Sequence, residues 1–146
     1  IVAMMTQALD VKPTQSVLEI GTGSGYQAAV LAKLARRVHT IERHKPLADL
    51  ARSRFEALKL RNITPHVGDG SKGWSHAAPY ERIIVTAAAD EIPQALLAQL
   101  TIGGVMIVPV GPHVADQQLL KLTRVAEDEV RKEVLAPVRF VPLVGS

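Results

Sequence analysis

The sequence of 146 residues contains no cysteine. Disulfides, thiolate nucleophiles and Cys-ligated zinc are therefore excluded. Aromatic residues are scarce: two Phe, two Tyr and one Trp. So few rings offer no stacking platform for single-stranded nucleic acid. The net charge is +3, but the basic residues are scattered, among them Arg36 and Arg37, Arg52, Arg54, Arg61, Lys121, Arg131 and Lys132. A phosphate backbone needs a concentrated patch instead. No apolar run reaches the length that spans a bilayer, and there is no basic–apolar–small signal pattern. The five histidines, His39, His44, His66, His76 and His113, show no H-E-x-x-H spacing, so no metal site is expected. These absences predict a cytoplasmic protein that uses neither nucleic acid nor membrane. Composition fixes no oligomeric state.

What is present fits one domain, residues 1–146, with a real core. Val2, Met5 and Leu9 have helical spacing. Ser16–Ile20 reads as a short apolar strand, followed by a helix from Gly25 to about Arg36. Arg37–Glu42 is a second, β-branched strand. Pro46 suits the first turn of a helix reaching about Leu60. Asn62–Val67 is a weaker strand, interrupted by Pro65. Arg82–Ala88 is a fourth, Pro93 opens a helix through "PQALLAQL", and Gly103–Gly111 is a fifth strand after a glycine turn. "QQLLKLTRV" and "VRKEVLAPVRFVPLV" pattern as a closing antiparallel pair, turning through "AEDE". Alternating strands and helices predict an α/β fold: a doubly wound, mostly parallel, Rossmann-like sheet with antiparallel C-terminal strands. Its ligand should lie beyond the carboxyl ends of the strands.

The stretch "VLEIGTGSGYQAA", Val17 to Ala29, carries the chemistry. A strand enters a glycine turn and a helix leaves it. "GSGYQA" matches the dinucleotide pattern G-x-G-x-x-A, a weak signal by itself. Three carboxylates follow the strand ends: Glu19 in the first, Glu42 ending the second, and Asp69 after the third. Glu42 stands 21 residues after Gly21, a spacing that suits hydrogen bonds from ribose hydroxyls. Glu19 discriminates among adenosine cofactors. A diphosphate at the glycine turn would be repelled by a nearby carboxylate. S-adenosylmethionine brings a sulfonium and an ammonium, which that carboxylate would attract. Asp69, between Gly68 and Gly70, is placed to accept from an adenine amino group. Plainer readings stand beside these: Glu19 paired at a strand end, Glu42 as a surface acid, Asp69 as a turn residue. "GTGSG" is not a nucleophile elbow, and no phosphate-binding G-x-x-x-x-G-K-[ST] occurs.

Beyond the glycine loop, "GDGSKGW", "IIVTAAADEIP", "QLTIGGVMIVPVG" and "VRFVPLV" (Val138–Val144) cover most of the remaining chain. Together these segments resemble the bacterial protein-L-isoaspartate O-methyltransferases. The resemblance implies methyl transfer from S-adenosylmethionine to the free carboxylate of L-isoaspartyl residues in damaged proteins, leaving S-adenosylhomocysteine. It implies cofactor contacts at Glu19, Gly21, Thr22, Gly23, Ser24, Gly25, Glu42, Asp69 and Gly70. It places the substrate against Thr86, Ala87, Ala88, Arg139, Val141, Pro142 and Leu143. It also implies last sheet strands placed differently from those of most methyltransferases. The family's catalytic Ser or Thr belongs to a "GQTIS"-like segment expected before Ile1, so no catalytic residue is assigned within this chain. The start at Ile1, without Met and already helical, suggests a piece of a longer protein, folded around its cofactor yet catalytically poor. Apolar surface near Ile1 to Met5 should then be exposed. Three other readings remain at this point: an RNA or small-molecule methyltransferase on the same fold, a dinucleotide-dependent oxidoreductase, and a non-catalytic module that binds cofactor and peptide without turnover.

Overall fold

The structure, a computed structural model, describes residues 1–112 and 116–143. His113 and Val144, named above, lie outside the described residues. In chain order the elements are α1 (Val2–Leu9), β1 (Ser16–Ile20), α2 (Tyr26–Leu34), β2 (Arg37–Glu42), α3 (Lys45–Ala57), β3 (Ile63–Val67), β4 (Tyr80–Val85), α4 (Gln94–Leu97), β5 (Leu100–Val110), β6 (Gln117–Ala126) and β7 (Glu129–Val138). One-turn 3-10 helices at Gly70–Lys72 and Ser75–Ala77 lie between β3 and β4.

The strands form one seven-stranded sheet in the order β3-β2-β1-β4-β5-β6-β7. β3 through β5 are parallel, and β6 and β7 are added antiparallel as a simple meander. β1 is central and covered on both faces, so all five of its residues are buried, Glu19 included. On one face Val17, Val38 and Ile84 pack against Met5 and Leu9 of α1, Ala28 and Leu31 of α2, and Ala51 and Phe55 of α3. On the other, Leu18, Ile20, Ile83, Val85 and Met106 pack against Leu96 and Leu97, with Trp74 and Ala77 at the margin. Alternation along β1 therefore puts Glu19 under α2 and Ile20 on the opposite face. The chain leaves β1 toward β2 on one side while β4 flanks the other, so the topological switch point falls at Gly21.

Several boundaries differ from the sequence reading. Pro65 stays inside β3 because β3 is an edge strand and its lost donor faces away from the sheet. β4 begins at Tyr80 and stops at Val85, and Ala88 and Ala89 form isolated bridges instead. β5 starts at Leu100, ahead of the glycines; the β4–β5 register shifts there, and Gly103 takes φ 87°. α4 is limited to one turn. The largest correction is at the C-terminus. The expected strand ends at Val138, and residues 139–143 leave the β6–β7 ladder to cross the end of β4.

At the opening helix Ile1 and Val2 are exposed, as expected, but Met5 is buried in the core. Arg82, buried on β4, donates from Nε to the carbonyl of Leu9 at 2.7 Å and so fixes the end of α1. No helix among the described residues is long and apolar enough to cross a membrane.

Candidate functional site

The glycine turn is fastened to β2. The amides of Gly21 and Thr22 both donate to the Ile41 carbonyl, at 2.9 and 3.2 Å. The Gly23 amide donates to Glu42 Oε1 at 2.9 Å, and the His44 amide to Glu42 Oε2 at 3.0 Å. Glu42 thus holds the turn that it was expected to stand beside. Each carboxylate oxygen still has lone-pair capacity for a ligand hydroxyl. Gly25 starts α2 at φ 87°, and a Cβ there would meet the Phe55 ring at 2.9 Å. Only glycine combines that left-handed backbone with that close contact. At Gly23 a Cβ would meet nothing within 4 Å, so its backbone faces open space that a ligand can approach.

Glu19 is fully buried beneath this turn. Its Oε1 accepts from Thr40 Oγ1 at 2.6 Å, and its Oε2 has no partner. Burial pushes the carboxyl up to about 8, against the opposing pull of the Thr40 hydroxyl and with a further push from the Glu42 charge. Asp69 caps the 3-10 turn that follows β3: its Oδ1 accepts from the Ser71 amide at 3.0 Å and the Ser71 hydroxyl at 2.7 Å. That cap turns the chain tightly and brings Gly70 against Ile20. Trp74 stacks on His66 with centroids 3.8 Å apart and accepts from the Tyr80 hydroxyl at its carbonyl. It braces the loop from the side of the β3 edge.

Across the switch point, Thr86 closes the other wall. Its hydroxyl lies 3.0 Å from the Ile20 carbonyl and 3.2 Å from that of Gly21, locking the ends of β1 and β4 together. The segment after β7 is tied down at two places. The Gln117 side chain donates to the Phe140 carbonyl at 3.0 Å and accepts from its amide at 2.6 Å. Ala88 donates to the Val141 carbonyl at 2.8 Å and accepts from the Leu143 amide at 2.7 Å. A strap over the end of β4 results, with Val141 72% exposed.

These walls enclose a cavity of about 300 Å³ lined by Gly21, Gly23, Glu42, Gly70, Thr86, Ala87 and Val141 to Leu143, together with Ile20, Ile41, Arg43 and His44. Sites expected for cofactor and for substrate therefore meet in one space. Other expected residues are elsewhere. Glu19 and Thr22 are buried below the turn, Ser24 is exposed with its carbonyl accepting from Arg54, and Gly25 is packed on Phe55. Asp69 acts through its cap, Ala88 through the strap, and Arg139 is exposed outside the lining. Sequence reading missed Thr40 and Gln117. A polar residue at a core position of a β-branched strand was the available signal for Thr40. Nothing local marks Gln117, whose partner lies 23 positions away.

Comparison with known proteins agrees with this architecture. A solved protein-L-isoaspartate O-methyltransferase superposes with a TM-score of 0.91 at 28% identity, over 99% of this chain and 46% of that one. A Plasmodium falciparum structure named as a β-aspartate methyltransferase (PCMT), in complex with S-adenosyl-L-homocysteine, gives 0.78 at 24% identity, over 98% and 71%. The fold is thus the Rossmann-like fold of the S-adenosylmethionine-dependent methyltransferases. Within that class, the model of the protein-L-isoaspartate(D-aspartate) O-methyltransferase family (PCMT) matches residues 1–146. The chain belongs to that family. The protein-L-isoaspartate O-methyltransferase of Rhodospirillum rubrum is 57% identical over 145 residues, 99% of this chain and 66% of that protein. That of Ruegeria sp. (strain TM1040) is 56% identical over 144 residues, 99% and 66%. The chain thus spans just under two thirds of the length of these relatives.

Proposed function

We propose that this chain binds S-adenosylmethionine and takes part in methyl transfer to the free carboxylate of L-isoaspartyl residues, the first step in repair of damaged cytoplasmic proteins. The observation that carries this reading is the single cavity joining the Glu42-fastened glycine turn to the strap of residues 139–143.

The residues present fit the cofactor. Gly23 offers open backbone, Glu42 offers acceptors for ribose hydroxyls, and Gly70, packed against Ile20, lines the same cavity. The Glu42 charge beside the turn disfavours the diphosphate of a dinucleotide. A cation arriving above the turn would favour the ionised form of Glu19 buried beneath it. The bound cofactor supplies a methyl group on a sulfonium. The isoaspartyl carboxylate is already ionised near neutral pH, so no general base is required. With the cofactor bound, transfer to that oxygen would leave a methyl ester and a neutral thioether. The tasks of this chain are to bind, orient and exclude water. Thr86, Ala87 and the strap residues Val141, Pro142 and Leu143 form the wall against which the acceptor would lie. Arg139, exposed at the base of the strap, is placed to meet a longer peptide.

The test is transfer of label from S-adenosylmethionine to paired isoaspartyl and aspartyl peptides, alongside S-adenosylhomocysteine binding by calorimetry. Slow transfer suffices, because label accumulates. Label on the isoaspartyl peptide alone is the expected result. No affinity for S-adenosylhomocysteine would overturn the cofactor assignment. Binding with label on the aspartyl peptide, or equally on both, would overturn the substrate assignment.

A further inference from the structure

Three buried side chains beneath the glycine turn form a chain of hydrogen bonds that the proposed reaction does not use. Thr22 Oγ1 and Thr40 Oγ1 are 2.6 Å apart, and Thr40 Oγ1 is 2.6 Å from Glu19 Oε1. Thr40 and Glu19 are fully buried, and Thr22 nearly so. Each hydroxyl has one proton to give. With Glu19 ionised, it takes the proton of Thr40 and the Thr40 oxygen accepts from Thr22, so donation runs from Thr22 to Thr40 to Glu19.

We infer that Thr40 is a positioning residue for the cofactor pocket, holding the glycine turn from below through Thr22, with Glu19 as the terminal acceptor that orients its hydroxyl. The inference rests on the reading of this pocket as a cofactor site. Alternation along β2 puts Thr40 and Glu42 on one face, where they grip consecutive turn residues, Thr22 by its side chain and Gly23 by its amide. Gly21, Gly23 and Gly25 all have positive φ, and glycine loses more freedom on ordering than any other residue. A turn ordered in advance spares the ligand that cost. This gives Glu19 a role in a strand interior even without direct cofactor contact.

Thr40→Val tests the idea, because it keeps the side-chain shape and deletes only the hydroxyl. S-adenosylhomocysteine binding should weaken roughly tenfold, the scale of one buried hydrogen bond. Thr40→Ser, which keeps the hydroxyl, should recover most of it. Thr22→Val should match Thr40→Val, and the double variant should lose no more than either, since the three groups act as one unit. In the unliganded protein, hydrogen exchange at the Gly23 amide should speed up in Thr40→Val. Native affinity in Thr40→Val, or additive losses in the double variant, would overturn the inference. If Thr40→Val does not fold, Thr22→Val and Thr40→Ser carry the test from the two ends of the bond. If the native chain binds no S-adenosylhomocysteine, the cofactor reading fails separately. Unchanged Gly23 exchange in Thr40→Val would then overturn the relay itself.

Discussion

The two walls of the cavity are built by different means. The glycine-turn wall is fastened by polar groups from a neighbouring strand: the Ile41 carbonyl, Oε1 of Glu42 and the buried hydroxyl of Thr40. The strap wall is held by hydrogen bonds of its backbone to Ala88 and the Gln117 side chain, with Phe140 and Leu143 packed against the core. The first wall has burial and charge to keep it rigid. The second leaves Val141 mostly in solvent. On the proposed function, the former would hold the cofactor and the latter would face the peptide.

The sharpest way to break this contrast is Gly25→Ala. The substitution forces an L-residue to φ 87° and drives its methyl into the Phe55 ring. A loss of about 2–4 kcal/mol in denaturant unfolding is expected. A loss below about 0.5 kcal/mol would show that the turn is less tightly set than its contacts imply. Next in size is Glu42→Ala, which removes the acceptor for the Gly23 and His44 amides and for the proposed ribose hydroxyls. S-adenosylhomocysteine affinity should fall by on the order of 1–3 kcal/mol; unchanged affinity would remove Glu42 from the site.

Gln117→Ala probes the other wall. It releases both groups of Phe140 and should raise the KM for isoaspartyl peptide several-fold while leaving S-adenosylhomocysteine affinity unchanged. Equal damage to cofactor binding would mean that the walls are one mechanical unit. The remaining contrast is with pH. Burial, with help from the charges of His39, Arg52 and His76, lowers His66 to about 4 from 6.5. The unfolded chain binds that proton first, so this contribution is present above pH 6.5 and is lost as pH falls toward 4. Glu19 has the opposite sign. Raised from 4.5 to about 8, it contributes fully below pH 4.5, and the contribution disappears as pH rises through 8. Thermal unfolding against pH should show both limbs, with His66→Gln flattening the acid one and Glu19→Gln the alkaline one. Since His66 is partly exposed, its limb should be the shallower.

The legibility of the site followed the same division. Gly21, Gly23, Glu42 and Gly70 were identifiable because their signals are local: a glycine spacing, an acid at a strand end, a turn between glycines. The strap was readable only through family resemblance, and its geometry was misjudged. "VRKEVLAPVRFVPLV" alternates well enough to pass for one strand throughout. It stops at Val138 because Gln117 captures Phe140 and Ala88 offers its amide and carbonyl to the residues beyond. Both partners come from distant positions, and alternation carries no information about them. Glu19 was recognised as unusual, and its partner Thr40 was not, because pairing between β1 and β2 is a matter of register.

By itself, the sequence determined the order of strands and helices, the glycine turn and the acids at the strand ends, since each depends on a few neighbouring residues and the preferences of their backbones. The tertiary structure alone decided which groups those acids would meet. It buried Glu19 under α2 with Thr40 as its donor, turned Glu42 onto the Gly23 amide and brought the strap across the end of β4. Those outcomes depend on sheet order and register, which bring together residues far apart in the chain and exclude the water that would otherwise satisfy them.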